Sequence, residues 1–275
     1  MKILVNYADK RYKQTQNVNS WTGKWIAKFD KVYSFGPHDI DEVFYNTNKH
    51  ILEISRGNGL WLWKPYFIKR VMDNANEGDV IFYCDSGSFF IKKFDRILES
   101  FCDDESIWVS DIPLLEVAFT KPECIKLMDC DNEEVKLSNQ IQATFFMARK
   151  NCESVDFVNE WLYLCTDFEL ISPAGNLKVN GETHYEFVVH REDQSILSLL
   201  CKKRGVKPHL DPTQRGEHQE SYRSNYYDFV PTKHSEDHYR SVIYIHKQRM
   251  ITPFYFIKKV MKDIYYRYMW NIINK

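Results

Sequence analysis

Short apolar runs alternate with amphipathic stretches along this chain, and the alternation predicts its elements. Residues 2–6 read as a strand, with Tyr7-Ala8-Asp9 as the loop that follows. Trp21, Trp25, Ile26 and Phe29 recur at helical spacing, which predicts a helix over residues 20–30 with these four on one face. A second strand spans residues 31–35 and is closed by Gly36-Pro37, and residues 39–54 read as a loop and a helix. Pro65 suits a first helical turn, so a helix is expected from there to about Asn76. Strands are predicted at 79–84, 107–109, 141–148 and 242–245, and helices at 90–101, 153–165 and 193–203. Residues 207–240 are polar, mixing proline, histidine and charge, and read as a long loop. Strands alternating with helices imply an α/β fold, a single domain with a mostly parallel central sheet and helices on both faces. The expected division is one domain over residues 1–252 and an amphipathic C-terminal helix over residues 253–275.

Composition narrows this picture. The chain has 275 residues, of which 44% are hydrophobic, enough for a substantial core. Aromatic content is 15%, which suits either an aromatic core or a surface that stacks on sugars or bases. A net charge of −1 provides no global field for nucleic acid, which is excluded as a partner. Seven cysteines with no C-x-x-C pair indicate reduced thiols and a cytoplasmic protein. The N-terminal apolar run turns polar too soon for a signal peptide, and no apolar run reaches the roughly 18 residues of a spanning helix.

Four places carry candidate chemistry. The apolar strand at 79–84 runs into Asp85-Ser86-Gly87, which delivers a carboxylate to the edge of the sheet where open α/β proteins bind ligands. A lone Asp beside Gly suits a hard divalent cation carrying phosphates; capping of the next turn is the alternative. Upstream, Arg56 and Lys64 flank Gly57, Gly59, Trp61 and Trp63, a block that could hold phosphate charge or simply anchor a helix entry. Asp193, in His190-Arg191-Glu192-Asp193-Gln194-Ser195, could cap the helix it opens, bind a substrate hydroxyl or act as a general base. After the last strand, His246 is a candidate metal ligand and Lys247 a candidate diphosphate contact, the alternative being a solvated basic strand end.

Taken in order, R-G-x-G-x-W-x-W-K-P, a strand ending D-S-G, Q-I-Q-A and H-R-x-D-Q-S-x-x-S-L-L resemble a family of bacterial polysaccharide-biosynthesis glycosyltransferases with a GT-A nucleotide-diphospho-sugar fold. The matching parts lie between about residues 50 and 205 and include Phe119-Thr120-Lys121. The resemblance implies a nucleotide-sugar donor, UDP-linked, and a Mn²⁺ or Mg²⁺ ion held by a D-x-D motif. Here Gly87 stands where the second Asp would be. Diphosphate and metal work then falls to Asp85 and His246, with Arg56, Lys64, Ser86, Gly87 and Lys247 in support; the alternative is that Lys64, Arg56 and Lys247 neutralise the diphosphate with no metal. Tyr7 and Asp9 are expected at the base and ribose, Asp193 at the acceptor, and Asp111 as a reserve carboxylate. The alternatives are a nucleotidyltransferase or another nucleotide-sugar enzyme, or a carbohydrate-binding protein of the same fold without catalysis.

The last stretch adds a partner. Ile257, Val260, Met261, Ile264, Tyr268 and Ile272 recur at helical spacing, and Lys258, Lys259, Lys262, Arg267 and Lys275 oppose only Asp263. Five bases against one acid leave this tail at +4. It reads either as a helix packed on the core or as an interfacial helix on an anionic membrane, peripheral to the inner face, where the acceptor would be a lipid-linked saccharide.

Overall fold

The computed structural model describes residues 1–173, 178–179, 182–183, 187–223, 229–246 and 248–273, without the side chains of 178–179, 182–183, 263 and 266–273. A five-stranded sheet built from β1 (Lys2–Tyr7), β2 (Lys31–Phe35), β3 (Val80–Cys84), β5 (Ile107–Leu115) and β6 (Asn139–Arg149) has the order β2-β1-β3-β6-β5. β1 pairs in parallel with both β2 and β3, and β6 is antiparallel to β3 and to β5, so four of the five strands run one way. A separate hairpin-like pair joins β4 (Ser88–Phe90) to β7 (Ile243–Ile245).

The sheet is covered on both faces, as parallel sheets require. Ile3, Val5, Tyr7, Ile81 and Tyr83 point into one core, while Leu4, Val80, Phe82 and Cys84 point into the other, which is the period of two a strand imposes. Helices α2 (Trp63–Asp73), α3 (Cys152–Cys165) and α4 (Glu192–Lys203) contribute to the first core. The second is an aromatic cluster in which Phe29, Phe82, Phe90, Phe94, Trp108 and Phe145 pack together. A fourth helix, α1 (Lys13–Thr22), continues into a π turn at Gly23–Ala27 and lies against β1 and β4. Gly23 sets that approach, because a Cβ there would sit 2.3 Å from the Leu4 side chain. The C-terminal helix α5 (Pro253–Ile273) rests on the β4–β7 pair, with Phe256 on Phe89 at 4.9 Å between ring centroids.

Several expectations are corrected. The helix expected over 20–30 starts at Lys13, and Trp21 and Trp25 face solvent. The face it buries is polar, made of Thr15, Gln16, Asn19 and Thr22, because it covers a polar turn. Residues 90–101 form the end of β4 and one short helix, Asp95–Leu98, in place of a long helix. The 207–240 segment carries a helical turn at Gln214–Glu217 and a 3₁₀ turn at Gln219–Tyr222. The last strand pairs with β4 outside the main sheet.

Candidate functional site

The sheet order places a switch point between β1 and β3, where the chain departs to opposite sides, and ligands bind at the carboxyl edge there. The loops after these two strands meet at that edge, where the Ser86 hydroxyl donates to the Tyr7 carbonyl at 2.6 Å. Helix α1 braces the second loop from behind: the Asn19 amide donates to the Ser88 carbonyl at 3.1 Å and to the Asp85 carbonyl at 3.4 Å. Asp85 is thereby presented with its side chain one-third exposed.

Behind Asp85 lies a buried cluster. Tyr83, two residues earlier on the same strand face, donates its hydroxyl to Asp85 Oδ1 at 2.6 Å. Burial, then the Asp85 carboxylate, pushes the Tyr83 hydroxyl well above its usual range, so it remains a donor. Lys64, in the first turn of α2, is 3% exposed; its Nζ lies 2.8 Å from Asp193 Oδ2 and 3.7 Å from Asp85 Oδ1, and donates to the Ala143 carbonyl at 3.0 Å. One cation thus faces two carboxylates. Burial disfavours the Lys64 charge, but Asp193 and Asp85 outweigh it and raise the Lys64 pKa. Burial likewise raises the Asp193 carboxyl, to about 7, against the opposing pull of Lys64.

Asp193 is not the cap of α4. Arg191 occupies that position without a side-chain cap, and Asp193 lies within the first turn, where the helix dipole favours a carboxylate. The Trp161 indole holds the Asp193 carbonyl at 3.2 Å. Gln194, the next residue, accepts from the Ala143 amide at 3.3 Å and donates to Gln140 at 2.8 Å, which ties α4 to β6. His190 is a buried anchor for this segment, its Nε2 at 2.9 Å from the Leu170 carbonyl, and burial pushes its pKa down to about 3.

The Arg56–Trp61 block takes an unusual form. Gly57, Asn58, Gly59, Leu60 and Trp61 all have positive φ, from 52° to 99°, which makes one left-handed turn. Glycine and asparagine enter that region readily, whereas Leu60 and Trp61 each carry roughly 1–2 kcal/mol of strain there. Such strain concentrates at functional sites. Three contacts hold the turn. Asn58 donates to the Tyr7 hydroxyl, the Trp63 indole donates to the Gly57 carbonyl at 2.9 Å, and Arg56 pairs with Glu192 beside Asp193.

Several assigned roles change with this geometry. Lys64 is enclosed between carboxylates and is not presented to a diphosphate. Tyr7 stacks on Trp63 at 3.7 Å and is buried, which leaves no open ring face for a base. Asp9 is occupied by Arg11, at 2.7 Å. Arg56 is engaged by Glu192 while remaining about half exposed. Asp111 pairs with His234 at 2.7 Å. Lys247 lies outside the described residues. Sequence reasoning missed Tyr83, Glu192 and Gln194; the period of two that places Tyr83 beside Asp85 was the available signal for the first.

Two residues near the Asp85 turn have the chemistry of divalent-cation ligands, Asp85 and His246. His246 follows β7, and its backbone amide donates to the Gly87 carbonyl at 2.8 Å, beside the Asp85 turn. It is buried, and the Gln248 backbone is the one hydrogen-bonding group that acts on its ring among the described residues. Burial pushes its pKa down to about 4, so the imidazole is neutral, the form that binds metals. Asp85 and the neutral His246, whose backbone is joined to the same turn through the Gly87 carbonyl, are two candidate ligands, and the His246 ring itself packs 5.8 Å from the Phe89 ring and 6.4 Å from the Tyr255 ring. Among the described residues no cluster of three or more His, Cys, Asp or Glu side chains forms a complete cation site, so substrate oxygens would supply the rest. A cavity of about 540 Å³ at the other end of α4, lined partly by Asp111, Lys202 and Lys207, shares no residue with the cluster.

No protein-family model matches the chain, and no curated protein does. Solved structures with a similar arrangement include mouse xyloside xylosyltransferase 1 in its apo form, with 10% identity over 92% of this chain and 99% of that one, at a TM-score of 0.48. The galactosyltransferase LgtC in complex with donor and acceptor sugar analogues shows 13% identity over 90% of this chain and 87% of that one, also at 0.48. The bifunctional glycosyltransferase WbbM shows 9% identity over 72% of this chain and 36% of that one, at 0.43. All three are described as glycosyltransferases. At these values the likeness transfers no activity and no residue role to this chain.

Proposed function

We propose that this chain is a GT-A-like glycosyltransferase that moves a sugar from a nucleoside-diphosphate donor, UDP-linked, to a saccharide acceptor in surface polysaccharide synthesis. The observation that carries the reading is the Asp85 turn at the β1–β3 switch point, with the neutral His246 joined to it through the Gly87 carbonyl and the Lys64–Asp193 pair behind. The ordered motifs from Arg56 to Leu200 support it.

In such a transfer the acceptor oxygen attacks the anomeric carbon, and the bond from that carbon to the diphosphate oxygen breaks. The nucleoside diphosphate leaves with the electron pair, and the acceptor proton passes to a base or to solvent. Charge developing on the leaving group must be met in place. We assign Asp85 and His246 to hold a Mn²⁺ or Mg²⁺ ion, which when bound would neutralise the diphosphate. Ser86 and Gly87 shape the turn, and Arg56 is the exposed cation closest in sequence to the strained turn. Asp193, with its pKa near neutrality, is assigned to the sugar or acceptor hydroxyl, and Lys64 keeps it in position. Tyr83 fixes one oxygen of Asp85.

The acceptor is read as lipid-linked. On α5, Phe254, Ile257, Met261, Ile264 and Tyr265 are exposed at spacings that put them on one arc, with Lys258 and Lys262 beside it. This is the signature of an interfacial helix on an anionic membrane. Among the described residues no helix is long and apolar enough to cross one.

The test is a thermal-shift screen of nucleotide sugars with and without Mn²⁺. A donor that binds the folded state raises the midpoint by mass action. A UDP-sugar that does so, more strongly with the ion, is the expected result. Midpoints that respond only to nucleoside triphosphates would point to a nucleotidyltransferase and remove the reading.

A further inference from the structure

Trp21 and Trp25 are 56% and 60% exposed, although the two faces of the sheet bury aromatic side chains almost everywhere else. They sit one turn apart, on α1 and its π continuation, and the exposed Lys24 and Lys28 accompany them. The opposite face of α1 is committed, since Asn19 holds the Asp85–Ser88 turn. The two tryptophans lie mostly exposed on the other face. The same outward stripe includes Gln14, two turns before Trp21. The Gln14 side chain donates to the Ile251 carbonyl at 2.8 Å and accepts from the Ile251 amide at 2.9 Å. Ile251 lies two residues before α5 begins. The start of α1 is thus hydrogen-bonded to the residue that leads into the basic apolar helix.

We infer that Trp21 and Trp25, with Lys24 and Lys28, form a second membrane contact that seats the protein on an anionic phospholipid surface together with α5. This rests on the reading of α5 as an interfacial helix. The occupant follows from chemistry: indoles favour the headgroup level of a bilayer, and lysines on both elements complement anionic headgroups. Only α1, about 10 Å thick, separates this surface from the turn that presents Asp85. Two contacts fix an orientation that one helix alone leaves free to rotate, and they hold the Asp85 edge close to lipid-borne acceptors.

The experiment is partition of the full chain onto phosphatidylglycerol and phosphatidylcholine vesicles, read by co-sedimentation and by quenching of tryptophan fluorescence with spin-labelled lipid. Three variants are compared with the parent: Trp21→Ala/Trp25→Ala, Lys24→Glu/Lys28→Glu, and Phe254→Ser/Ile257→Ser in α5. The inference expects phosphatidylglycerol binding that weakens about tenfold in each variant, with unchanged circular dichroism, and lipid quenching that drops in the tryptophan variant. If the parent binds and only the α5 variant weakens, the tryptophan contact is overturned while the α5 reading stands. If the parent ignores anionic vesicles, both fall. Retention of the tryptophan face by soluble oligosaccharide without vesicle binding would also overturn it.

Discussion

Lys64 and Asp193 form an ion pair at 2.8 Å inside the protein, and Asp85 approaches the same ammonium at 3.7 Å from the solvent side. Burial raises the Asp193 pKa against the pull of Lys64, and the Asp85 charge beside the same ammonium adds to the rise. The pair therefore links the exposed carboxylate at the sheet edge to a proton-exchanging group behind it.

The pH dependence of stability follows from this link. Asp193 moves from an ordinary 3.8 to about 7 on folding, so between those values the folded state holds a proton that the unfolded state has lost. Its contribution is full below the unfolded value and is lost as pH rises to about 7. Asp193→Asn removes the titration. Urea titrations of parent and variant across this range should show a stability difference that changes with pH, and a constant difference would refute the assignment. With donor and acceptor present, the same variant should lower turnover while leaving donor affinity intact.

The left-handed turn makes Gly57 sensitive. Its φ is +60°, and a Cβ there would lie 2.1 Å from the Trp61 ring. Gly57→Ala should destabilise the fold by at least about 1–2 kcal/mol, the cost of a side chain in this region, with the steric clash in addition. Chemical denaturation measures this, and a loss below a few tenths of a kcal/mol would show that the turn relaxes freely.

The 207–240 segment should respond to pH through His234. Burial lowers the pKa of this imidazole, but the Asp111 carboxylate at 2.7 Å outweighs it and holds the pKa above the ordinary value, with Asp237 adding to the effect. Nearby, His209 lies between Asp237 at 3.0 Å and Glu105 at 3.2 Å. The His234 contribution is present below the ordinary histidine pKa and lost as pH rises through the raised one. Asp111→Asn should abolish that part of the dependence, read by amide hydrogen exchange around residues 209–213. Identical pH profiles in the parent and variant would contradict it.

The elements buried by simple periodicity were legible in the sequence. β1 and β3 announce themselves as apolar runs, α3 and α4 as amphipathic stretches, and the Asp85 turn as an abrupt polar end. What could not be read was set by partners far away in the chain. β4 exists because it pairs with β7, more than 150 residues later. α1 hides Asn19 and Gln16 because it covers a polar turn, so counting apolar residues placed Trp21 and Trp25 inside when they lie outside. Gly57 and Gly59 hinted at positive φ, but nothing local shows that Leu60 and Trp61 follow them. Lys64 looked like a phosphate ligand because its two carboxylates come from the turn after β3 and from helix α4.

Release of nucleoside diphosphate from a panel of nucleotide sugars, by the parent and by Asp85→Asn, tests the central proposal most directly. Replacing the carboxylate with an isosteric amide keeps the Tyr83 hydroxyl within hydrogen-bond reach of the side chain and removes the charge at the switch point. The parent should release nucleoside diphosphate from at least one UDP-sugar, slowly to water and faster with a saccharide acceptor. The folded variant should lose about 100-fold or more, the scale of removing one preorganised electrostatic group. A parent that turns over no nucleotide sugar, or a variant with undiminished turnover, would contradict the account.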